Sequence, residues 1–429
     1  MDQLTQQFMA SAVHYNDDSS LFLKHRVQTM LNQNQIKFPG AQPVSLEPRR
    51  DITTVLNRNF KVCEKTDGTR YLLYLDLSDM EISEDIFEMA VKADKEMKAK
   101  CYFVDREYNF EQMDCRIRLN VLLEVIKEKT LSALLQFKML LDGEVVADGQ
   151  ELDFYIFDCL YLNQQVVSKG LTARLEAGYQ ATTFMRKIGS SILISLKSKT
   201  FVDKTEIQKI LDIQKALKHH SDGLIFTAED EPYVFGTNPH ILKWKPKDEN
   251  SVDLKIDLRT EYCNVLQPNG EFKPTTIYMF QFYAAVFGQI EAAPVEAGGV
   301  TVVSKEKFDK MENLIKKNKQ ENLILEVYWK ETKPVSILKL ISKENGINKY
   351  QIEEKQGGWE AKKQRVDKSI PNDRKVFDSV CKSFGQFVSI EDLMQIIAGK
   401  MKVPGVCIRE NPFVRRKQGW VQQVNERYE

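Results

Sequence analysis

The hexapeptide KTDGTR at residues 65–70 separates two strand-like runs, FKVCE at 60–64 and YLLYLDL at 71–77. Asp-Gly is a strong turn dipeptide, and two extended runs joined by it predict a hairpin-like turn. The ammonium of Lys65 then lies at the mouth of the turn, with the guanidinium of Arg70 close behind it. A deprotonated lysine at such a place can attack phosphorus, and an arginine can hold a sugar or a phosphate. A surface turn with solvated charges explains the hexapeptide equally well.

Length and composition narrow the class of protein. A chain of 429 residues is too long for one hydrophobic core and predicts two domains. Its 61 basic and 61 acidic residues balance, so any contact with a polyanion must come from local basic clusters. Seven scattered cysteines indicate a reducing compartment, and five histidines without a Cys/His cluster argue against a zinc site. Neither a secretory signal nor an apolar run of transmembrane length is present, so we expect no membrane association.

The order of predicted elements changes near KPKDEN at 245–250. Strands and helices alternate before this point, whereas strands and one charged helix follow it. We therefore predict a first domain at 1–247, a second at 248–395 and a basic C-terminal tail at 396–429. The strands predicted in the first domain are 60–64, 70–77, 101–104, 139–147, 153–162 and 223–227, and the helices are 21–34, 84–99, 172–188 and 203–219.

Acidic and aromatic residues mark three further candidate sites. Asp142 and Glu144, in LLDGEVV, share one face of a predicted strand and can hold a ribose or a metal-bound water. A charged turn at the end of a strand is the alternative. Phe157, in the apolar run FYIFDCLYLN, is either a core residue or a platform for a base. Asp222 precedes Gly223 and a strand, where a plain turn is the default interpretation.

Two basic stretches are candidates for phosphate binding. Lys243 and Lys245 flank a tryptophan in KWKP and are predicted to share one strand face. Lysines that converge in a cleft bind phosphate as point charges, but exposed lysines are also common on edge strands. Arg365 and Lys368 lie in QRVDKSIPNDRK, which by itself indicates only a solvated loop.

The motifs K-x-D-G-x-R, D-G-E, F-D, D-G-L-I, K-W-K-P and R-x-D-K occur in an order that resembles the covalent nucleotidyltransferases. That superfamily comprises mRNA capping guanylyltransferases and ATP-dependent DNA and RNA ligases. FPGAQPVSL at 38–46 is similar to a signature segment of the capping branch that ligases lack. WEAKKQRVDKSIPN at 359–372 resembles the last motif of that branch, although Lys363 stands where the family often has arginine. The chain is thus identified as a member of the mRNA guanylyltransferases, with the resemblance running from about Leu21 to Lys375.

The resemblance implies a role for each motif residue. Lys65 would attack the α-phosphate of GTP, which gives a covalent lysyl-GMP and pyrophosphate. Asp222 would help to position Mg²⁺ or Mn²⁺. The implied nucleotide-binding residues are Arg70 and Glu144 for the ribose, Phe157 for stacking on guanine, Lys199 in SKTF for guanine O6, Lys243 and Lys245 for the α-phosphate, and Asp253, Arg365 and Lys368 for the β- and γ-phosphates.

The resemblance also implies a fold, an acceptor and partners. The fold class would be α+β, with a two-sheet nucleotidyltransferase domain followed by an OB-fold β-barrel that carries an inserted hairpin at 331–358. GMP would pass to the 5′-diphosphate end of nascent RNA in the nucleus, which forms the GpppN cap. A separate RNA 5′-triphosphatase would prepare that end, because the chain has no C-x-x-x-x-x-R phosphatase loop. The C-terminal repeat domain of RNA polymerase II is a further implied partner.

Two other functions remain open at this point. An ATP-dependent polynucleotide ligase would use the same lysine chemistry, and the nucleotide that charges Lys65 distinguishes the two enzymes. A catalytically idle member would bind only nucleotide or the transcription machinery. The joint presence of Lys65, Glu144, Lys243 and Arg365 argues against an idle member, because a binding protein does not need the attacking amine.

Overall fold

The computed structural model describes residues 5, 7, 10–15, 17–148, 151–188, 194–294, 298–318, 323–344, 347–365, 368–385 and 387–402. Most of the predicted basic tail therefore lies outside the described residues. The chain divides into a first unit of Met1–Leu46, Arg50–Trp244 and Glu391–Met401, and a second of Glu47–Arg49, Lys245–Ile390 and Lys402–Glu429. The domain limits at 247 and 395 remain predictions.

The first unit contains two β-sheets and the helices that cover them. Its strands are β1 (Val13–Tyr15), β2 (Ala41–Ser45), β3 (Phe60–Thr66), β4 (Thr69–Asp76), β5 (Glu96–Val104), β6 (Phe110–Arg118), β7 (Lys138–Asp148), β8 (Glu151–Leu162), β9 (Ser195–Ser198), β10 (Val202–Asp203), β11 (Ser221–Ala228) and β12 (Gly236–Trp244). In the part of this region that the structure describes, the α-helices with defined bounds are α1 (Asp17–Met30), α2 (Pro48–Asn57), α3 (Glu84–Lys92), α4 (Leu119–Ile126), α5 (Leu131–Gln136), α6 (Leu171–Ile188) and α7 (Ile207–Ala216).

The two sheets confirm the expected α+β class of the first unit. One sheet has seven strands in the order β1-β6-β5-β4-β7-β8-β9, and the other has five in the order β10-β3-β11-β12-β2. The central strand β4 is buried from Arg70 to its end at Asp76, because each face of its sheet packs on a separate hydrophobic core. Leu73 contributes to the first core and Leu72 to the second.

The KTDGTR segment connects the two sheets, so the hairpin prediction is wrong. β3 pairs with β10 and β11, whereas β4 pairs with β5 and β7. The chain bends at Gly68 between the two strands, but a turn dipeptide does not determine which strands pair across it. Gly68 is needed for a different reason, since a Cβ there would lie 2.6 Å from the Val145 backbone oxygen.

The predicted helix 84–99 is too long. Ser83 caps α3 by accepting a hydrogen bond from the Ile86 backbone N–H, and the helix ends at Lys92. Asp94 has a φ of 49°, which reverses the chain before β5 begins at Glu96. Pairing of β5 with β6 overrides the helical propensity of this charged run, because the strand buries apolar side chains on one face.

The second unit is built on six strands, five of which close into a ring of pairings. The six strands are β13 (Ser251–Leu266), β14 (Phe272–Val286), β15 (Gln289–Ala292), β16 (Val300–Val303), β17 (Leu323–Glu344) and β18 (Ile347–Gln364). β13 pairs with both β14 and β17, and β16 also pairs with both of those strands. Among the described strands, β15 pairs only with β14. A closed ring of this kind is the topology of a β-barrel. That the second unit is an OB-fold β-barrel stays a prediction.

The stretch predicted as an inserted hairpin forms part of the longest hairpin in the described residues of this unit. β17 and β18 pair from Leu325–Gln364 to Glu344–Ile347, with three register irregularities. That residues 331–358 are an insertion remains a prediction. The unit also contains α8 (Lys305–Asn318) and α9 (Arg374–Gly385), whereas most of α10 (Ile390–Ile397) is grouped with the first unit.

Candidate active site

A cleft lined by both sheets of the first unit brings several predicted site residues together. The predicted residues in its lining are Lys65, Arg70, Glu144, Phe157 and Lys199. Asp142 and Glu144 both line the cleft, which confirms that these two carboxylates share one strand face. Other lining residues, which the sequence did not indicate as site residues, include Ala41, Cys63, Arg106, Ile225, Tyr233 and Ile241.

Lys65 lies one residue before the end of β3, opposite a β-bulge in β11. Ser221 pairs with Thr66 and Leu224 pairs with Glu64, so two residues of β11 oppose the single residue Lys65. Gly223 adopts a φ of 146°, which favours glycine and allows the bulge. The buried Asp222 beside it accepts a hydrogen bond from Lys65, with 2.5 Å between Nζ and Oδ1. The nucleophile predicted from the sequence therefore has a fixed carboxylate partner.

Arg70 is buried and its guanidinium is held on several sides. Nε and Nη2 donate to the two oxygens of Asp142 at 2.9 and 2.5 Å, and Nη1 donates to the Ala41 backbone oxygen at 2.5 Å. Arg70 also lies directly opposite Glu144 in the pairing of β4 with β7. The two residues predicted to bind a ribose are therefore cross-strand neighbours.

Phe157 lies near two cations rather than in a fully apolar core. The Arg70 guanidinium is 5.4 Å and the Lys199 ammonium 5.5 Å from the centre of its ring. Such distances are typical of cation–π contacts. The ring is only partly buried and lines the cleft, so it is accessible to a planar base.

Lys199 is buried with a carboxylate on each side. Its Nζ is 3.5 Å from Glu64 Oε1 and 3.5 Å from Glu144 Oε2. Burial disfavours the charged form, but Glu144 and Glu64 raise the pKa of Lys199 above its usual value. Lys199 is therefore an ammonium that donates hydrogen bonds and accepts none.

Glu64 lies beside the nucleophile in the sequence and is buried. Burial alone would raise the pKa of Glu64, but the neighbouring His219, the charge of Lys199 and the Thr66 hydroxyl together lower it to about 2. Thr66 Oγ1 donates to Glu64 Oε1 at 2.6 Å, whereas His219 Nε2 lies 3.8 Å from the same oxygen. Glu64 thus remains a carboxylate at neutral pH and holds Lys199 in place.

The two lysines of KWKP do not lie on one strand. Lys243 pairs with Ile225 of β11, and Ile225 pairs with Cys63 of β3. Residues paired across a sheet point to the same face, so Lys243 shares a face with the cleft residues Cys63 and Ile225. β12 ends at Trp244, and Lys245 is grouped with the second unit.

The remaining predicted residues form a cluster within the second unit. Asp253 is buried and accepts hydrogen bonds from Arg365 Nη1 at 2.8 Å and Lys368 Nζ at 2.5 Å. The Asp253 backbone N–H donates to the side chain of Asn372 at 2.8 Å. A carboxylate repels phosphate, so the geometry favours Asp253 as the residue that orients the two cations rather than as a phosphate ligand.

Three residues of the cleft carried no usable signal in the sequence. Arg106 lies in the turn between β5 and β6, where an isolated arginine matches no recognised motif. Ile225 is an ordinary strand residue within D-G-L-I. Tyr233 reaches the cleft from the loop before β12, and its backbone-to-hydroxyl contact with Ala41 spans 192 positions. Contacts at such separations cannot be read from local periodicity.

A divalent metal ion is compatible with the cleft, although protein side chains alone would not enclose it. The described residues contain no group of three or more His, Cys, Asp or Glu that could hold a metal ion. Mg²⁺ is commonly held by one or two carboxylates together with substrate phosphates and water. Asp222, the predicted metal ligand, is a carboxylate beside the predicted nucleophile. In the part of the chain described here, none of the helices has both the length and the apolar character to cross a membrane.

Comparison with known proteins covers nearly all of both units. Residues 8–247 match the family described as mRNA capping enzyme, catalytic domain, and residues 249–394 match mRNA capping enzyme, C-terminal domain. The chain is 29% identical to the mRNA-capping enzyme subunit alpha of Saccharomyces cerevisiae, over 84% of this chain and 78% of that protein. The subunit alpha of Neurospora crassa is 30% identical over 56% of this chain and 59% of its own length. That of Schizosaccharomyces pombe is 29% identical over 56% of this chain and 58% of its own length.

Proposed function

Because the chain belongs to the mRNA capping enzyme family, we propose that it is an mRNA guanylyltransferase that forms the GpppN cap. It transfers GMP from GTP to Lys65 and then to the 5′-diphosphate end of nascent RNA. The observation that carries the proposal is the position of Lys65, which lines the cleft and whose amine is held by Asp222 at 2.5 Å. An amine placed in this way is a nucleophile for phosphorus once it has lost its proton.

The reaction has two balanced steps. In the first, Lys65 Nζ attacks the α-phosphorus of GTP, a P–N bond forms, the bond to the β-phosphate oxygen breaks, and pyrophosphate and the amine proton leave. In the second, an oxygen of the terminal RNA phosphate attacks the same phosphorus, the P–N bond breaks, and Lys65 regains a proton. Catalysis of such transfers depends mainly on positioning and on charge neutralisation.

Base selection follows from the chemistry of Lys199. Guanine presents a carbonyl oxygen at O6, whereas adenine presents an amino group at the corresponding atom. A buried ammonium donates to the carbonyl and cannot accept from the amino group. A base stacked on Phe157 would have Lys199 beside it, since the ammonium lies 5.5 Å from the ring centre. This arrangement favours GTP over ATP and therefore a capping enzyme over a ligase.

Four basic residues are assigned to the phosphates. Lys243, on the face that includes the cleft residue Ile225, is assigned to the α-phosphate with Lys245. Arg365 and Lys368, oriented by Asp253, are assigned to the β- and γ-phosphates. A bound Mg²⁺ or Mn²⁺, with Asp222 as one ligand, would neutralise charge on the phosphates.

We also propose the partners and the location that this reaction requires. The acceptor is RNA with a 5′-diphosphate end, which a separate RNA 5′-triphosphatase prepares. The relatives are named as subunits alpha, which supports assembly with a further subunit. Recruitment by the C-terminal repeat domain of RNA polymerase II and a nuclear location follow from action on nascent mRNA.

The experiment that tests the proposal is transfer of label from GTP. The full chain is incubated with α-phosphate-labelled GTP and Mg²⁺, denatured, and analysed for a labelled protein band. We expect labelling by GTP but not by ATP, its loss in Lys65→Ala, and transfer of the label to diphosphate-ended RNA. Labelling by ATP alone would favour a ligase, and an absence of labelling with either nucleotide would reject covalent transfer.

A further inference from the structure

We propose that Asp142 and Tyr233 are positioning residues that fix the guanidinium of Arg70 against the ribose, and thereby set the selectivity for the sugar hydroxyl groups. This inference rests on the proposed function and deepens it. Neither Asp142 nor Tyr233 needs to contact the nucleotide, because their effect passes through Arg70. We call Asp142, Tyr233 and the backbone of Ala41 the arginine cradle.

The arginine cradle holds Arg70 by directed hydrogen bonds in a buried environment. Asp142 receives two of them, from Nε at 2.9 Å and Nη2 at 2.5 Å, in the bidentate geometry that fixes a guanidinium plane. Ala41 receives a third, from Nη1. Arg70 is 6% exposed and Asp142 is fully buried, so water does not compete for these bonds. Since Nη1 carries two N–H groups, one of them remains for a ligand.

Tyr233 completes the arginine cradle by fixing Asp142 and Ala41 relative to each other. Its hydroxyl donates to Asp142 Oδ2 at 2.5 Å and accepts from the Ala41 backbone N–H at 2.8 Å. Burial and the charge of Asp142 raise the pKa of Tyr233 well above its usual value, so the hydroxyl stays a donor. The Arg174 guanidinium lies 5.6 Å from the centre of the Tyr233 ring and restricts its position.

The FPGAQ segment restricts the position of Arg70 by close steric contact. The Phe38 ring lies 5.7 Å from the Arg70 guanidinium. A Cβ on Gly40 would lie 2.1 Å from the Phe38 ring and 2.9 Å from Arg70 Nη2, so only glycine fits there without displacement. Three separate parts of the chain therefore surround Arg70. A salt bridge alone would not require this enclosure.

The test uses Tyr233→Phe, which removes one hydroxyl and keeps the ring. Dissociation constants for GTP, 2′-deoxyGTP and 3′-deoxyGTP are measured by calorimetry on the full chain in a Lys65→Ala background, where no adduct can form. Tyr74→Phe is the matched control, because it removes a buried hydroxyl that donates to Asp76 at 2.6 Å and lies outside the cleft lining.

We expect Tyr233→Phe to weaken GTP binding by about tenfold, the loss typical of a misplaced hydrogen bond to a charged group. Binding of at least one deoxy analogue should change by less than about twofold, because the hydroxyl that Arg70 contacts is already missing. The preference for GTP over that analogue therefore falls, whereas Tyr74→Phe leaves both preferences unchanged. If Tyr233→Phe does not fold, as judged by circular dichroism, the same ratios are measured on Asp142→Asn.

The inference is overturned if GTP and both analogues lose affinity by the same factor, which would indicate a structural role alone. It is also overturned if no affinity changes. Failure of the proposed function appears differently, as an absence of label on the wild-type chain after incubation with GTP.

Discussion

Lys65 and Asp222 face each other across the β-bulge of β11, with 2.5 Å between Nζ and Oδ1. The bulge places two residues of β11 opposite the nucleophile, so the carboxylate reaches the amine although it lies far from it in the sequence. In the proposed reaction Asp222 holds the amine before GTP enters and then helps to bind the metal ion. This double role predicts how loss of its charge affects the first step.

Asp222→Asn should reduce the rate of labelling of Lys65 by at least about a hundredfold, because asparagine keeps the shape but loses the charge that holds the amine and the metal. Raising the Mg²⁺ concentration should recover part of the rate. Initial rates of label incorporation at several Mg²⁺ concentrations measure this. Asp212→Asn is the control, since Asp212 is exposed and pairs with Lys215 at 2.9 Å. Equal rates for wild type and Asp222→Asn would contradict the assigned role.

Arg365→Ala should separate the two half-reactions. Loss of a charge-assisted contact to the β- and γ-phosphates is expected to slow labelling by GTP by about 10- to 100-fold. Transfer of GMP from preformed lysyl-GMP to diphosphate RNA should change by less than about threefold, because these phosphates have already left. Arg374→Ala, which removes a pair with Asp378 at 2.9 Å, is the control. A similar loss in both half-reactions would show that Arg365 does not act on the leaving group.

Glu64 should make the stability of the fold depend on pH in the acid range. The pKa of Glu64 is lowered from 4.5 to about 2, because His219, Lys199 and Thr66 outweigh the effect of burial. Its carboxylate therefore stabilises the folded state above pH 4.5, and this contribution is lost as the pH falls towards 2. The difference corresponds to about 3 kcal/mol.

Chemical denaturation of wild type and Glu64→Gln at pH 7, 5 and 3 tests this dependence. We expect the variant to be less stable by about 3 kcal/mol at pH 7 and the gap to narrow at pH 3. The exposed Glu176→Gln is the control and should change the free energy of unfolding by less than about 0.5 kcal/mol. A gap for Glu64→Gln that stays constant from pH 7 to pH 3 would refute the ionic contribution.

Gly40→Ala tests the fit of the FPGAQ segment around Arg70. The added Cβ would lie 2.1 Å from the Phe38 ring, so either the ring or Arg70 must move. We expect a loss of about 1–3 kcal/mol in the free energy of unfolding and weaker GTP binding. Gly178→Ala is the matched control, because its Cβ would make only ordinary contacts at 3.5 Å within α6. That control should be neutral or stabilising by up to about 1 kcal/mol. Equal effects of the two substitutions would argue against the close fit.

The sequence predicted local features of the site well where the chemistry is confined to one strand. Asp142 and Glu144 share a face because side chains alternate along β7, and both line the cleft. The strands around KTDGTR were placed within about two residues, since their apolar alternation is strong. The second strand-rich unit was also expected from the change of pattern after the K-W-K-P motif.

Features that depend on distant contacts were missed. The Asp67-Gly68 dipeptide predicted a turn between paired strands. β3 and β4 instead belong to different sheets, because their partner strands come from elsewhere in the chain. The charged run after α3 was predicted to be helical, but it forms β5, which pairs with β6. No sequence pattern indicated a role for Tyr233, because that role depends on contacts with Ala41 and Asp142 that form only in the folded chain. Local propensity cannot show such relationships.

The most direct test of the central claim is identification of the labelled residue after incubation with GTP. The full chain is charged with GTP and Mg²⁺, digested, and the peptide that carries GMP is identified by mass spectrometry, with Lys65→Ala and Lys65→Arg treated in parallel. We predict that GMP is found on Lys65, that ATP does not replace GTP, and that both variants remain unlabelled while still binding GTP. GMP on another residue, or undiminished labelling of Lys65→Ala, would contradict the account.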